Sequence, residues 1–200
     1  MEPKKRSLLD KVTSFIKRKT SQQYKFNQQF ENGTWNGLRD IGELARYNII
    51  TGYIGFFCKH PRVLDLGCGE GILQEKFAAG SYTHYTGVDF SDVAIANAQQ
   101  LANSTTEFRV GDLNKLKITG SYDAIVYNES IYYLDDPKAA IQALFPHLTE
   151  GGIIIFSIVD KHGKVQTKYW DKLNSLLTLV DSTRVYNAAG HSWTIQVYKK

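Results

Sequence analysis

Two hundred residues, 42% hydrophobic and 22% charged, describe one ordinary folded domain and exclude a disordered or fibrous chain. The formal charge of +4 sits in one place: residues 1–20 hold seven Lys/Arg against two acids, or +5, leaving −1 (4 − 5) for the other 180. The body of the chain therefore shows no charge bias towards nucleic acid, and its two cysteines exclude a disulfide scaffold. No run approaches the roughly 20 apolar residues of a membrane span. No apolar signal-peptide core follows the basic start, so a reducing, cytoplasmic setting is expected.

Residues 1–20 read as a basic amphipathic arm. Ser7 is a helix cap with Asp10 three residues on, and Leu8, Leu9, Val12, Phe15 and Ile16 share one face over 7–19. Such an arm packs on the body, lies on a membrane surface or acidic partner, or frays. Residues 21–59 follow, with Tyr24, Phe26, Phe30 and Trp35, and turns at Asn32-Gly33 and Asn36-Gly37. From Leu38 to Tyr53 the positions Leu38, Ile41, Leu44, Ala45 and Ile49 recur at helical spacing.

Residues 60–200 alternate strand and helix signals. Val63, Leu64 and Leu66 make a buried parallel strand, interrupted by Gly67, Gly69 and Gly71, with a helix expected over Ile72 to Ala79. Tyr85 to Asp89 is the second strand, and Ser91 caps a helix expected from Asp92 to Asn103. A third strand, Glu107 to Val110, closes on Gly111-Asp112-Leu113, and a fourth, Tyr122 to Tyr127, runs into Asn128-Glu129-Ser130-Ile131-Tyr132-Tyr133. Asp136 caps a helix opened by Pro137 and ending near Pro146. A strand over Ile153 to Val159, a helix over Lys168 to Leu177, and strands over Leu179 to Tyr186 and Trp193 to Tyr198 complete the chain.

Strand, glycine turn, helix is the opening of a nucleotide-binding unit, and Asp89, about 20 residues past the turn, is placed to grip ribose hydroxyls. That spacing fits NAD as well as S-adenosylmethionine. Against NAD, the third glycine comes two residues after the second, and Asp65 stands where a pyrophosphate would be repelled. S-adenosylmethionine carries an ammonium and a sulfonium, which acids suit. Asp65-x-Gly67-x-Gly69-x-Gly71 followed by Asp89 resembles the class I S-adenosylmethionine-dependent methyltransferases.

The resemblance covers roughly residues 60–200. It implies an α/β, Rossmann-like three-layer sandwich with a mostly parallel sheet of about seven strands and an antiparallel last strand. It also implies that Asp65 and the turn Gly67, Cys68, Gly69 and Gly71 hold the methionine portion of the cofactor, with Asp89 and Phe90 at the ribose. Asp112 would accept from the adenine amino group, with Leu113 against the ring and Asn128 at the end of the fourth strand. In the family, residues ahead of the first strand form part of a lid over cofactor and substrate. Arg46, with Arg39 in reserve, is then the arginine for the methionine carboxylate; the alternative is an amphipathic helix with surface arginines.

Methyl transfer is an in-line displacement, so the chain needs a base, a metal or an amine clamp. The five histidines are scattered and none pairs at i, i+4, so no metal site is expected. His162 and His191 lie in loops that could face the pocket and supply a general base. Glu129 either fixes its loop through backbone amides or meets the cofactor's ammonium or a cationic substrate. Tyr133 falls where related enzymes point a His or Tyr at the acceptor. The Glu-x-x-Tyr-Tyr-Leu run is similar to that of nodulation-factor N-methyltransferases, which act on an amino sugar. A small-molecule acceptor is therefore expected, amine nitrogen before oxygen. Nucleic-acid methylation is disfavoured because Asn128-Glu129-Ser130-Ile131 replaces the usual Asn/Asp-Pro-Pro-Tyr/Phe. The remaining rivals are an RNA substrate held by the basic arm and a non-catalytic binding module.

Overall fold

The computed structural model describes residues 22–160, 162 and 164–200. The basic arm, and the helix expected over 7–19, lie outside the described residues. Seven strands form one sheet: β1 (Arg62–Leu66), β2 (His84–Asp89), β3 (Thr106–Val110), β4 (Tyr122–Asn128), β5 (Leu148–Val159), β6 (Thr178–Tyr186) and β7 (Ser192–Lys199). Their order is β3-β2-β1-β4-β5-β7-β6. The first five in that order are mutually parallel, and β7 runs antiparallel to both β5 and β6. This is the doubly wound α/β sheet with an antiparallel last strand that the sequence implies. Winding reverses between β1 and β4, so a crevice opens at their carboxyl ends.

Alternation along the strands divides the core in two. Val63, Ile153 and Ile155 face one side with Tyr47, Ile50 and Ile54 of α2 (Ile41–Phe57) and Ile95 of α3 (Asp92–Ala98). Leu64, Ile154 and Phe156 face the other, against Ile141 and Leu144 of α4 (Pro137–Leu144) and Trp170 and Leu173 of α5 (Thr167–Asn174). Each such side chain, taken fully out of water, contributes about 1.5–3 kcal/mol before entropy is counted. A further helix, α1 (residues 22–31), precedes α2. No described helix is long and apolar enough to cross a membrane.

Both expected caps form. Ser91 Oγ accepts from Ala94 N–H at 3.1 Å, and Asp136 Oδ1 accepts from Lys138 and Ala139 N–H at 3.0 and 3.2 Å. Elsewhere tertiary contacts override local pattern. Residues 72–79 do not form an α-helix, only a 3₁₀ turn over Gln74–Lys76, after which Phe77 goes extended at ψ 138°. The Phe77 ring instead packs edge-on against Tyr82 and Tyr85, with centroids 5.4 and 6.0 Å away. α3 stops at Ala98 and passes into a 3₁₀ turn over Gln99–Leu101, where the Gln99 side chain donates to the Phe108 carbonyl at 2.8 Å.

The helix ahead of β1 begins later than the pattern suggests, after a 3₁₀ turn over Asn36–Arg39, and it presents a different face. Ile41, expected inward, is 84% exposed, whereas Arg46, Tyr47, Ile50 and Ile54 are buried. Apolar residues surround this helix on all sides, so periodicity alone does not choose its inner face. The polar partners of Arg46 do.

Candidate functional site

The crevice holds a cavity of about 390 Å³, a volume typical of small-ligand pockets. Its floor is the turn after β1. Gly67 N–H donates to the Val88 carbonyl at 2.8 Å, drawing the turn across the end of β2. Gly67 sits at φ +89°, and a Cβ there would collide with the Ser130 side chain, so only glycine fits both the conformation and the space. Gly71, at φ +80°, stands off the cavity wall, and a Cβ there would meet Leu101 and Phe108 at 2.9 Å. Its role is close packing of turn on sheet.

Asp65 is 1% exposed at the end of β1. Its Oδ2 accepts from the Tyr85 hydroxyl at 2.5 Å, while its Oδ1 is buried with no hydrogen-bond partner. Burial pushes its pKa up to about 7, against the Tyr85 hydrogen bond, and Asp89 adds to the rise. Asp89 is pinned by two backbone donors, Gly69 N–H at 2.9 Å and Ser91 N–H at 2.8 Å. Burial raises its pKa as well, and those two donors oppose the rise. Asp112, after β3, accepts from Asn114 N–H at 3.1 Å, with Leu113 beside it on the wall.

The opposite wall comes from β4 and from α2. Glu129 adopts φ +60°, and its carboxylate accepts from the Tyr132 hydroxyl at 2.8 Å, Ser157 Oγ at 3.1 Å and Val159 N–H at 3.1 Å. The loop-fixing role weighed for Glu129 is thus the one its contacts display. Burial raises its pKa, and the Arg46 charge pulls it back.

Arg46 is 2% exposed. It donates to Glu43 Oε2 through Nη2 at 2.6 Å and Nε at 3.2 Å, and to Asn128 Oδ1 through Nη1. Its guanidinium lies 4.5 Å from the Tyr47 ring centroid and 5.5 Å from that of Trp193. Arg39, the reserve candidate, is on the surface and pairs with Glu75 at 2.5 Å.

α1 reaches the same cavity. Gln23 Nε2 donates to the Phe90 carbonyl at 3.0 Å, and Ser91 Oγ donates to Asn27 Oδ1 at 2.7 Å. Phe26 and Phe30 line the wall, and Phe26 meets the Tyr133 ring edge-on at 5.0 Å. Tyr133 itself is 41% exposed, at the rim. Tyr132 packs inward on Tyr169, with centroids 5.5 Å apart.

The cavity therefore gathers Asp65, Gly67, Cys68, Gly69, Asp89, Phe90, Asp112, Leu113, Asn128, Glu129, Tyr133 and Arg46. His162 is exposed in the turn after β5, and His191 is exposed in the turn before β7; neither is on the cavity wall. Sequence reasoning missed Tyr85, Glu43 and Trp193. Glu43 was discoverable as the i−3 neighbour of Arg46 on one helix face, and Tyr85 from the pairing of β1 with β2. Trp193 has no local signal.

Six carboxylates line the cavity (Glu43, Asp65, Glu70, Asp89, Asp112, Glu129) against one cation, Arg46, among the described residues. No group of three or more His, Cys, Asp or Glu among the described residues is arranged to hold a metal ion.

An α/β sheet of this order, with a glycine turn and acids at its carboxyl ends, defines a methyltransferase fold. Residues 13–198 match the family described as a methyltransferase domain, and the chain belongs to it, among the class I S-adenosylmethionine-dependent methyltransferases. It is 36% identical over 98 residues to the malonyl-[acyl-carrier protein] O-methyltransferase of Bacillus cereus, covering 48% of this chain and 36% of that protein. It is 33% identical over 132 residues to the ubiquinone biosynthesis O-methyltransferase of Pseudomonas fluorescens, covering 64% and 55%. The chain thus aligns to between about a third and just over half of the length of these curated relatives.

Among solved structures it is similar to the N-methyltransferase NodS from Bradyrhizobium japonicum with S-adenosyl-L-homocysteine. The TM-score is 0.72 at 22% identity, over 83% of this chain and 91% of that one. It is also similar to a Burkholderia thailandensis 1,6-didemethyltoxoflavin-N1-methyltransferase, with a TM-score of 0.74 at 16% identity, over 100% and 93%. Likeness at these identities speaks for the fold.

Proposed function

We propose that the cavity binds S-adenosylmethionine and directs its methyl group to a small-molecule acceptor, an amine nitrogen before an oxygen. The observation that carries the reading is the bare Asp65 Oδ1 in a wall where carboxylates outnumber cations six to one. A buried acceptor without a donor costs about 1–3 kcal/mol, and the ammonium of the methionine portion supplies the missing donor. When bound, S-adenosylmethionine supplies a methyl carbon on a cationic sulfur, which an acceptor lone pair takes as the C–S bond breaks.

The protein's own part is alignment and exclusion of water. Asp89 holds the ribose, Asp112 and Leu113 the adenine, and Arg46 the methionine carboxylate. Glu129 keeps the β4 loop in shape, and Tyr133 orients the acceptor. α1 and α2 act as the cover, with Phe26 and Phe30 of α1 as its dry surface, joined by Trp35 of the intervening turn and Trp193 of β7.

An amine acceptor, once deprotonated, needs only to be positioned, and the acid excess favours an amine over an anion. Oxygen is the second reading, favoured by the names of the curated relatives. Calorimetric titration with S-adenosylhomocysteine tests the donor; absence of binding overturns it. A screen of amines, phenols and sugars, with detection of the S-adenosylhomocysteine formed, tests the acceptor. On the best acceptor, Tyr133→Phe should cost on the order of 100-fold, the cost of about 1 Å of misplacement, and His162→Ala and His191→Ala little. A histidine worth about 10²–10⁴-fold would establish general-base O-methylation instead.

A further inference from the structure

The loops that follow β3 and β4 belong to strands that are not neighbours; β2 and β1 stand between them. The two loops nevertheless meet at the cavity wall through one side chain. Asn114 Nδ2 donates to the Tyr133 carbonyl at 3.0 Å and to Asp112 Oδ1 at 3.3 Å. Its Oδ1 accepts the Asp135 N–H at 2.6 Å. Both N–H groups and the oxygen of the amide are therefore engaged, the amide offering donors and an acceptor from the same carbon.

We propose that Asn114 is a positioning residue that ties Tyr133 to Asp112, so that filling the Asp112 end of the cavity sets the place of Tyr133. The inference rests on the cofactor reading above, which puts adenine at Asp112. Tyr133 in turn touches Phe26 of α1, so the tie extends to the cover of the cavity. A tie of this kind is a coupling free energy and acts equally in both directions. Acceptor contacts at Tyr133 would tighten the hold on adenine as much as adenine orders Tyr133.

Hydrogen exchange of the full chain, with and without S-adenosylhomocysteine, tests this without knowledge of the acceptor. In the wild type the compound should slow exchange at residues 84–91 and at residues 131–134. Asn114→Ala should keep the first response and lose about fivefold of the second, the weight of one ordinary hydrogen bond. Asn114→Asp keeps the side-chain volume and the acceptor for Asp135 but has no donor for the Tyr133 carbonyl. It should lose the response at 131–134 in the same way, and it serves if the alanine variant fails to fold. A full response at 131–134 in either variant overturns the tie. So does a wild type that responds at 84–91 alone, and in that case the cofactor reading stands. A wild type that responds nowhere removes the cofactor reading, and the tie with it.

Discussion

Two acids, Asp65 buried and Glu129 half-buried, line the same cavity, and their surroundings differ. Glu129, after β4, is met by three donors, and the charge of Arg46 acts on it as well. Asp65, in β1, receives one donor, from Tyr85, and keeps its other oxygen bare. The β4 loop is therefore a completed internal structure. The β1 side is completed only when something with a donor enters. Buried polar groups are nearly always paired, so the bare oxygen supports the proposal that a ligand's donor belongs at Asp65, and the full set of partners supports a scaffold role for Glu129.

The largest expected effect lies where the two regions touch. Gly67→Ala places a Cβ into Ser130 and strains a φ of +89°. Denaturant unfolding should show a loss of about 4 kcal/mol, overpacking and backbone strain together. An unchanged midpoint would mean that the two walls are not held against each other.

Next in size is the scaffold acid. Glu129→Ala strands the hydroxyl donors of Tyr132 and Ser157, while Val159 N–H keeps the Tyr132 hydroxyl at 2.9 Å. It should cost about 2–3 kcal/mol of stability. The comparison breaks if stability is retained and only ligand affinity suffers, because Glu129 would then belong with Asp65.

Asp89→Ala sharpens the other side. Titration with S-adenosylmethionine should show affinity weaker by about 1.5–3 kcal/mol, the scale of a hydrogen bond to a charged group. Loss of the Gly69 and Ser91 tethers adds a stability cost that melting curves measure separately.

The last effect is a slope. The folded Asp65 carboxyl, raised to about 7 by burial, keeps its proton where an unfolded carboxyl, near about 3.9, has lost it. The folded state then binds more protons between those values. Stability of the ligand-free protein should fall as pH rises from about 4 to about 7 and level off above. Cofactor affinity should rise through the same upper limit, as the carboxylate forms opposite a cationic ligand. Asp65→Asn should remove both slopes, and a wild type with neither would show that Asp65 is ionised throughout.

That Asp65, Gly67, Asp89 and Asp112 would line one cavity was legible because their signals are local. Each lies at or just past the carboxyl end of a strand whose apolar run is visible, and parallel pairing brings those strand ends together. The caps at Ser91 and Asp136 were legible for the same reason. The other wall depends on contacts distant in sequence. Arg46 faces inward towards Asn128 and Trp193, and the inner face of α2 is rotated from the expected one, leaving Ile41 and Ala45 outside while Ile49 still packs on the core. Residues 72–79 read as helix until Phe77 finds Tyr82 and Tyr85. His162 and His191 were drawn towards the pocket by loop position alone, and loop position does not fix where a side chain points.

One consequence of α2 concerns how it is held. Glu43 and Arg46 are its only charged residues, and both line the cavity. Its outward side presents Ile41, Ala45, Asn48, Gly52 and Phe56 to solvent. Gly52 and Gly55 sit in its interior with nothing within 4 Å of where a Cβ would go, each about 1 kcal/mol less helix-favouring than alanine. Little in this segment would keep it helical by itself. Its order is lent by the sheet beneath, through Tyr47, Ile50 and Ile54, so a substitution that loosens that packing should also draw Arg46 out of the cavity.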